Sequence, residues 1–153
     1  YTIPASVAAW NNTSANLQAV YYSGRGYYTW CVATAGTCSM ATAANSAAPS
    51  SICPKGWKMP TKTEYTTLLN AAGIADNATG RSKIMSSPYN YSYASLIWGD
   101  GSGLTNMNLG RYWTSTSEDA ARTFVLGVWP SGTGVYGDAG QKFYGLPFRC
   151  VAR

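Results

Sequence analysis

Pro60-Thr61-Lys62-Thr63-Glu64-Tyr65-Thr66-Thr67-Leu68-Leu69-Asn70-Ala71-Ala72-Gly73 carries the most decisive local pattern in the chain. Thr61 and Glu64 stand in capping-box spacing: the threonine hydroxyl takes the amide of the third helical residue while the glutamate carboxylate reaches back to the amide of Thr61. Tyr65, Leu68, Leu69 and Ala72 fall at i, i+3, i+4 and i+7, which gives one apolar face. Gly73 stands where a helix ends in a left-handed residue. The pattern predicts a helix of about three turns. No comparable helical pattern follows it, and the chain after Asn77 reads as a long, turn-rich loop with short strands as far as Gly103.

Downstream, strand patterning takes over. Arg111 to Thr116 is one strand. Arg122 to Trp129 alternates Arg122, Phe124, Leu126 and Val128 against Thr123, Val125, Gly127 and Trp129, the pattern of a half-buried strand. Pro130-Ser131-Gly132 ends it. A strand near Gly134 to Tyr136, a glycine-rich turn at 137–140 and a last strand near Leu146 to Val151 complete an antiparallel meander. Upstream, Tyr21-Tyr22 and Tyr27-Tyr28-Thr29-Trp30 flank a Gly-Arg-Gly turn, and Ser39 to Ser51 reads as a surface loop. Ser14 to Val20 is a short helix candidate with Ser14 as its cap. The expectation is an α+β domain over 21–153, with one or two helices, short antiparallel sheets and long loops. Residues 1–20 form an N-terminal segment, either a docking strand or a linker.

Composition narrows the chemistry. The 153 residues, 46% hydrophobic and 14% aromatic but only 11% charged, suit one folded domain and argue against disorder. The chain has no histidine, which removes histidine-based triads and histidine-ligated zinc. The net charge of +5 is spread along the chain and not clustered, so nucleic acid is not an expected partner. No apolar run approaches the roughly 18 residues of a membrane-spanning helix, and the first residue is Tyr, which suggests a processed or excised piece with no membrane insertion. Four cysteines in a chain so poor in charge point to an oxidising, extracellular setting. They allow three connectivities, and the absence of Cys-x-x-Cys spacing argues against a four-thiolate metal site.

Three ordered stretches carry a family resemblance: Ser51-Ile52-Cys53-Pro54-Lys55-Gly56-Trp57-Lys58-Met59-Pro60-Thr61 running into the helix, Tyr112-Trp113-Thr114-Ser115-Thr116, and Phe148-Arg149-Cys150-Val151. Together they resemble the Fibrobacter succinogenes major paralogous domain family, whose members show Cys-Pro-x-Gly-Trp-Arg-Leu-Pro-Thr, Tyr-Trp-Ser-Ser-Thr and a closing Arg-Cys-Val. The match spans roughly residues 20 to 153. That family is similar to C-type lectin-like folds. The helix start and the closing Phe-Arg-Cys are also similar to formylglycine-generating enzymes and to the variable proteins of diversity-generating retroelements. The resemblance implies a C-type lectin-like fold in which Cys53 pairs with Cys150 across the core while Cys31 and Cys38 form a local clip.

The resemblance does not bring catalysis or a metal with it. The Glu-Pro-Asn, Gln-Pro-Asp and Trp-Asn-Asp motifs that hold calcium and sugar in animal lectins are missing. Trp98-Gly99-Asp100 and Trp129-Pro130-Ser131 supply one carboxylate between them, whereas calcium needs several oxygen ligands. Calcium is therefore weakly supported and no cofactor is expected. Glu64 is explained by capping, and Glu118-Asp119 with Arg122 reads first as a solvated turn and second as a charged specificity patch. Asn11, Asn12, Asn77 and Asn90 sit in Asn-x-Ser/Thr triplets, which arise easily in so polar a chain.

What remains is a set of loop aromatics beside small polar residues, the composition of a recognition surface. The candidate ligand-binding residues are Trp98, Asp100, Ser115, Ser117, Glu118, Asp119, Arg122, Trp129, Ser131, Tyr136, Asp138, Gln141, Lys142 and Tyr144. Trp113 and Phe148 belong to the core, and Tyr21, Tyr27, Tyr28 and Trp30 to packing. The expected function is a non-enzymatic, extracellular ligand-binding or adhesion module. Its partners would be a host or neighbouring-cell surface protein or glycan, on a face built from residues 113 to 144. The alternatives are a surface-fibre subunit contacting copies of itself and, last, an enzyme similar to the formylglycine-generating group.

Overall fold

The computed structural model describes residues 19–153 apart from 23, 37–44, 95, 98–103 and 106–108. Ala19-Val20-Tyr21-Tyr22, rich in β-formers, makes strand β1 (Ala19–Tyr22) and pairs antiparallel with β2 (Arg25–Tyr28) in the register Val20↔Tyr27. Gly24 takes a positive φ of 79° to close the turn. Ala19 and Val20 are buried. The end of the expected 14–20 helix is strand, and its residues 14–18 lie outside the described residues. A single turn, α1 (Trp30–Ala33), follows and buries Trp30 and Ala33.

The decisive stretch folds as its spacing predicts. Helix α2 spans Lys62–Ala71 with Thr61 as N-cap; the Glu64 amide donates to Thr61 Oγ1 at 3.1 Å and the Thr61 amide to Glu64 Oε2 at 2.8 Å. Gly73, at φ 60°, ends it: its amide donates to the Asn70 carbonyl and that of Ile74 to the Leu69 carbonyl, the paired bonds of a Schellman motif. A second helix, α3 (Ala78–Met85), occupies part of the stretch expected to be loop. Asn77 caps it by accepting from the Gly80 amide at 2.8 Å. Its apolar pattern is weak because only one large side chain, Ile84, enters the core. Gly80 sits so close to the preceding turn that a Cβ would lie 1.8 Å from the Ala75 carbonyl oxygen, a constraint that the pattern of apolar residues does not carry.

The main sheet has the order β6-β7-β8, from β6 (Gly110–Ser117), β7 (Arg122–Trp129) and β8 (Gly132–Gln141), all antiparallel. Two expectations change here. β8 runs straight through 137–140, where a turn was expected, and a register shift against β7 between Thr123 and Val125 absorbs the extra residues. Its glycines serve close packing: a Cβ on Gly140 would lie 2.4 Å from the Thr123 carbonyl oxygen and 3.1 Å from the Trp113 ring. β7 is central and covered on both faces, so Val125 to Val128 are all buried and the strand is not half-buried. Its alternation instead separates two cores. Leu126 and Val128 join Tyr65, Leu69 and Ile84 beneath the helices, while Val125 joins Trp113, Trp30, Met59 and Leu146 on the opposite face.

The three motif stretches meet one another. β3 (Trp57–Lys58) pairs with β9 (Val151–Ala152), so the chain end leaves the expected meander and docks beside the helix start. Cys53 and Cys150 are bridged, with their Cα atoms 5.8 Å apart and a sequence separation of 97. Cys31 is also disulfide-bonded, while Cys38 lies outside the described residues. The Ser115 amide donates to the Pro60 carbonyl and the Lys62 amide to Thr116 Oγ1, which ties β6 to the start of α2. Arg149 donates to the carbonyls of Tyr89 and Asn90 while stacking 4.2 Å above the Tyr91 ring. Two further short strands, β4 (Leu96–Ile97) and β5 (Leu104–Thr105), pair antiparallel. The result is a mixed α/β domain with few helices and short antiparallel sheets, as the sequence predicts. Among the described residues no helix is long and apolar enough to cross a membrane.

Candidate functional site

Cross-strand register builds the site. Arg111 on β6 faces Gly127 on β7, which faces Gly134 on β8; one step along the same face, Trp113, Val125 and Tyr136 form the next row. Trp113 and Val125 enter the core, but the row of Arg111, Gly127 and Gly134 carries a single side chain, and the sheet face opens there into a groove of about 470 Å³. Leu109 just before β6, Arg111 on β6 and Val125 on β7 line it, Gly127 and Gly137 line it with backbone, and Trp129 and Tyr136 form an aromatic wall. The two rings meet edge to face at 4.6 Å, a favoured geometry for aromatic pairs. Gly127 is required for this wall, because a Cβ there would lie 2.5 Å from Trp129 Cζ3.

Charges of both signs border the groove. The half-buried Arg111 guanidinium has its pKa lowered by burial, an effect that Tyr144 partly opposes. Tyr136 donates its hydroxyl to Asp76 Oδ2 at 2.6 Å. Burial first and this carboxylate second push the Tyr136 phenol well above its ordinary range. The Glu118 carboxylate stands over Gly137, where a Cβ would lie 2.2 Å from Glu118 Oε1. Glu118 Oε2 is shut off from solvent without a hydrogen-bond partner, its nearest cation being Arg122 Nε at 3.5 Å.

Of the candidate residues, the structure brings Trp129 and Tyr136 together; Glu118 stands over Gly137 and pairs with Arg122. Asp119 and Arg122 form the ion-paired turn between β6 and β7, at 2.7 Å, with Asp119 Oδ1 also accepting from the Ala121 and Arg122 amides. The Arg122 bond and then the Ala121 amide hold the Asp119 carboxyl below its usual value. Ser131 is exposed in the β7–β8 turn, while Gln141 and Tyr144 are half-buried. Trp98 and Asp100 lie outside the described residues, as does the side chain of Asp138.

Three candidates are corrected. Ser115, Ser117 and Lys142 are buried and cannot form a contact surface. Ser115 hydrogen-bonds through its backbone to Pro60 and Ala48. Lys142 Nζ donates to Ser117 Oγ and the Asp119 carbonyl, both at 2.8 Å, and lies 4.7 Å from the centre of the Trp30 ring, so it fastens the β6–β7 turn to the core. Burial lowers its ammonium pKa and Asp119 partly restores it.

Sequence reasoning missed Arg111, Gly127, Gly137 and Asp76. Glycine inside a strand marks a close approach or an open face, and Gly127 between Val125 and Trp129 was such a signal. Asp76 carried none, since its partner lies 60 residues away. Among the described residues no cluster of three or more His, Cys, Asp or Glu side chains could hold a metal ion, and no cysteine is free. Comparison with protein-family models, curated proteins and solved structures finds no match for this chain.

Proposed function

We propose that this chain is a non-enzymatic, extracellular recognition domain on a C-type lectin-like scaffold, which binds a surface glycan or protein through the face of its three-stranded sheet. One observation carries the reading: a groove of about 470 Å³, within the range of small-ligand sites, walled by two aromatic rings and floored by glycine. The scaffold assignment draws on the three motif stretches converging at the Cys53–Cys150 bridge. The bridge also suits an oxidising, extracellular setting. The test is binding of the purified domain to glycan and surface-protein arrays, repeated with Trp129 and Tyr136 changed to Ala. Binding that is lost in the variant at unchanged melting temperature supports the reading; a well-folded wild type that binds nothing overturns it.

A fibre subunit is the second reading. Tyr21, 70% exposed on the two-stranded β1–β2 sheet, favours it as a side chain that a neighbouring copy would cover. A monomeric mass in light scattering at high concentration removes it.

A further inference from the structure

We infer that a second cavity, on the face of the β3–β9 pair opposite Trp57, takes a carboxylate group, held by the Arg153 guanidinium and met by the Ser115 hydroxyl. This cavity shares no lining residue with the groove, and the inference does not depend on the recognition reading.

Strand register creates the site. β3 and β9 pair as Trp57↔Ala152 and Lys58↔Val151, and the Arg153 amide extends the ladder by donating to the Gly56 carbonyl at 3.0 Å. Side chains alternate along a strand, so Lys58 and Arg153 share the face that Trp57 leaves. There they border a cavity of about 170 Å³, walled elsewhere by the 47–51 loop, Met59 and Ser115 of β6. The loop is fastened to both neighbours: the Ala48 amide donates to the Ser115 carbonyl at 2.8 Å and the Met59 amide to Ser51 Oγ at 3.1 Å. The walls are therefore set before any ligand enters.

The groups on those walls call for an anion. Ser115 is 4% exposed, too buried for a contact surface, yet it lines this cavity, and among the described residues its hydroxyl has no hydrogen-bond partner. A buried hydroxyl in that state needs a partner from the cavity. Ser51 Oγ accepts from the Met59 amide, which leaves its proton to donate. Lys58 is ion-paired with Glu64 at 2.5 Å, so its charge is already compensated. Arg153 uses only Nε, on the Trp57 carbonyl at 3.4 Å, and no carboxylate lines the cavity. One positive charge, that of Arg153, is left over.

Charge and shape then select among ligands. A cation would meet both Lys58 and Arg153, and a neutral ligand would return no charge to the guanidinium. A dianionic phosphate would exceed the single charge on offer and stand near Glu64 behind Lys58. A carboxylate matches the planar guanidinium fork with two parallel hydrogen bonds, and its remaining lone pairs can accept from the hydroxyls. The volume agrees, since about 170 Å³ holds a carboxylate and a short stem but falls below the roughly 300 Å³ at which larger-ligand pockets begin.

The test is a proton–nitrogen NMR titration of the wild-type domain with sodium acetate and with glutamate capped at both backbone ends. Acetamide and inorganic phosphate serve as comparisons, at ionic strength held constant with sodium chloride. The expected result is saturable shifts at the Ser51, Met59 and Ser115 amides and at Arg153 Nε with a carboxylate, and none with acetamide. Affinity should fall about tenfold in Arg153→Gln and severalfold in Ser115→Ala. Arg153 is exposed, so its replacement leaves the fold intact, and that arm decides even where Ser115→Ala unfolds. Saturation by capped glutamate supports the inference and identifies an acidic side chain as the source; saturation by acetate alone supports it and identifies a free small acid. The absence of saturable shifts with either carboxylate overturns it, as does binding that Arg153→Gln leaves intact or phosphate binding tighter than both.

Discussion

The hydroxyl of Tyr136 on β8 is hydrogen-bonded at 2.6 Å to the carboxylate of Asp76, in the connection between α2 and α3. One wall of the groove is thereby fixed to the helical layer. Because burial and then Asp76 raise the Tyr136 pKa, Asp76→Asn should move one tyrosine ionisation back toward 10 in an ultraviolet titration, read as a difference from Tyr136→Phe.

Tyr65 and Tyr91 show the same direction, mainly through burial. The unfolded chain releases these protons near pH 10.0, whereas the folded chain retains them to higher pH. Stability is therefore fully present below about pH 10 and is lost as pH rises through the folded values. Lys142, with a lowered pKa, contributes with the opposite sign. Melting temperatures measured from pH 8 to 12 should fall on the alkaline side, and less steeply in the Tyr65→Phe/Tyr91→Phe double variant.

At the acid end the capping box is the sensitive element. Burial raises the Glu64 pKa, but the hydrogen bond from Lys58 and those from Thr61 outweigh it, and the net shift is downward. Its stabilisation is present above about pH 4.5 and disappears as pH falls through the folded value. Thr61→Ala should cost about 1 kcal/mol in urea denaturation at pH 7, and Lys58→Met should flatten the melting-temperature profile between pH 3 and 5.

Removing the Cys53–Cys150 bridge opens a loop with a sequence separation of 97 residues. On the chain-entropy account, Cys53→Ala/Cys150→Ala should lose about 4 to 5 kcal/mol, measured as a drop in urea midpoint relative to wild type.

Lys142→Met should destabilise the domain by about 2 to 3 kcal/mol through loss of charged hydrogen bonds and exposure of buried acceptors. Urea denaturation should show the loss, while amide exchange in 117–121 should speed up more than in α2. Equal acceleration everywhere would contradict the role of Lys142 as a local fastener of that turn.

The parts of this fold legible in the sequence are those specified by neighbours in sequence. Thr61, Glu64 and Gly73 announce both ends of α2 because caps are local. The helix α3 was hidden, since its cap at Asn77 and one buried side chain, Ile84, leave no period to read. Likewise the second half of β8 looked like a turn because Gly137 and Gly140 answer to Glu118, Thr123 and Trp113, partners distant in sequence or across the sheet. In the site, Trp129 and Tyr136 were legible as aromatics beside small residues. Burial, which separates them from Ser115, Ser117 and Lys142, is set by strands packing on both faces of the sheet.

The bridge that joins Cys53 to Cys150 has a mechanical consequence. A pull applied between the β1 end and Arg153 travels along the chain only as far as Cys53, crosses to Cys150, and leaves through the last three residues. The covalent path bypasses the span from 54 to 149, which contains α2, α3, the main sheet and the groove, and touches it only where β9 pairs with β3. Tension along that path would strain the β1–β2 hairpin and the β3–β9 pair first, while the main sheet and its groove kept their shape.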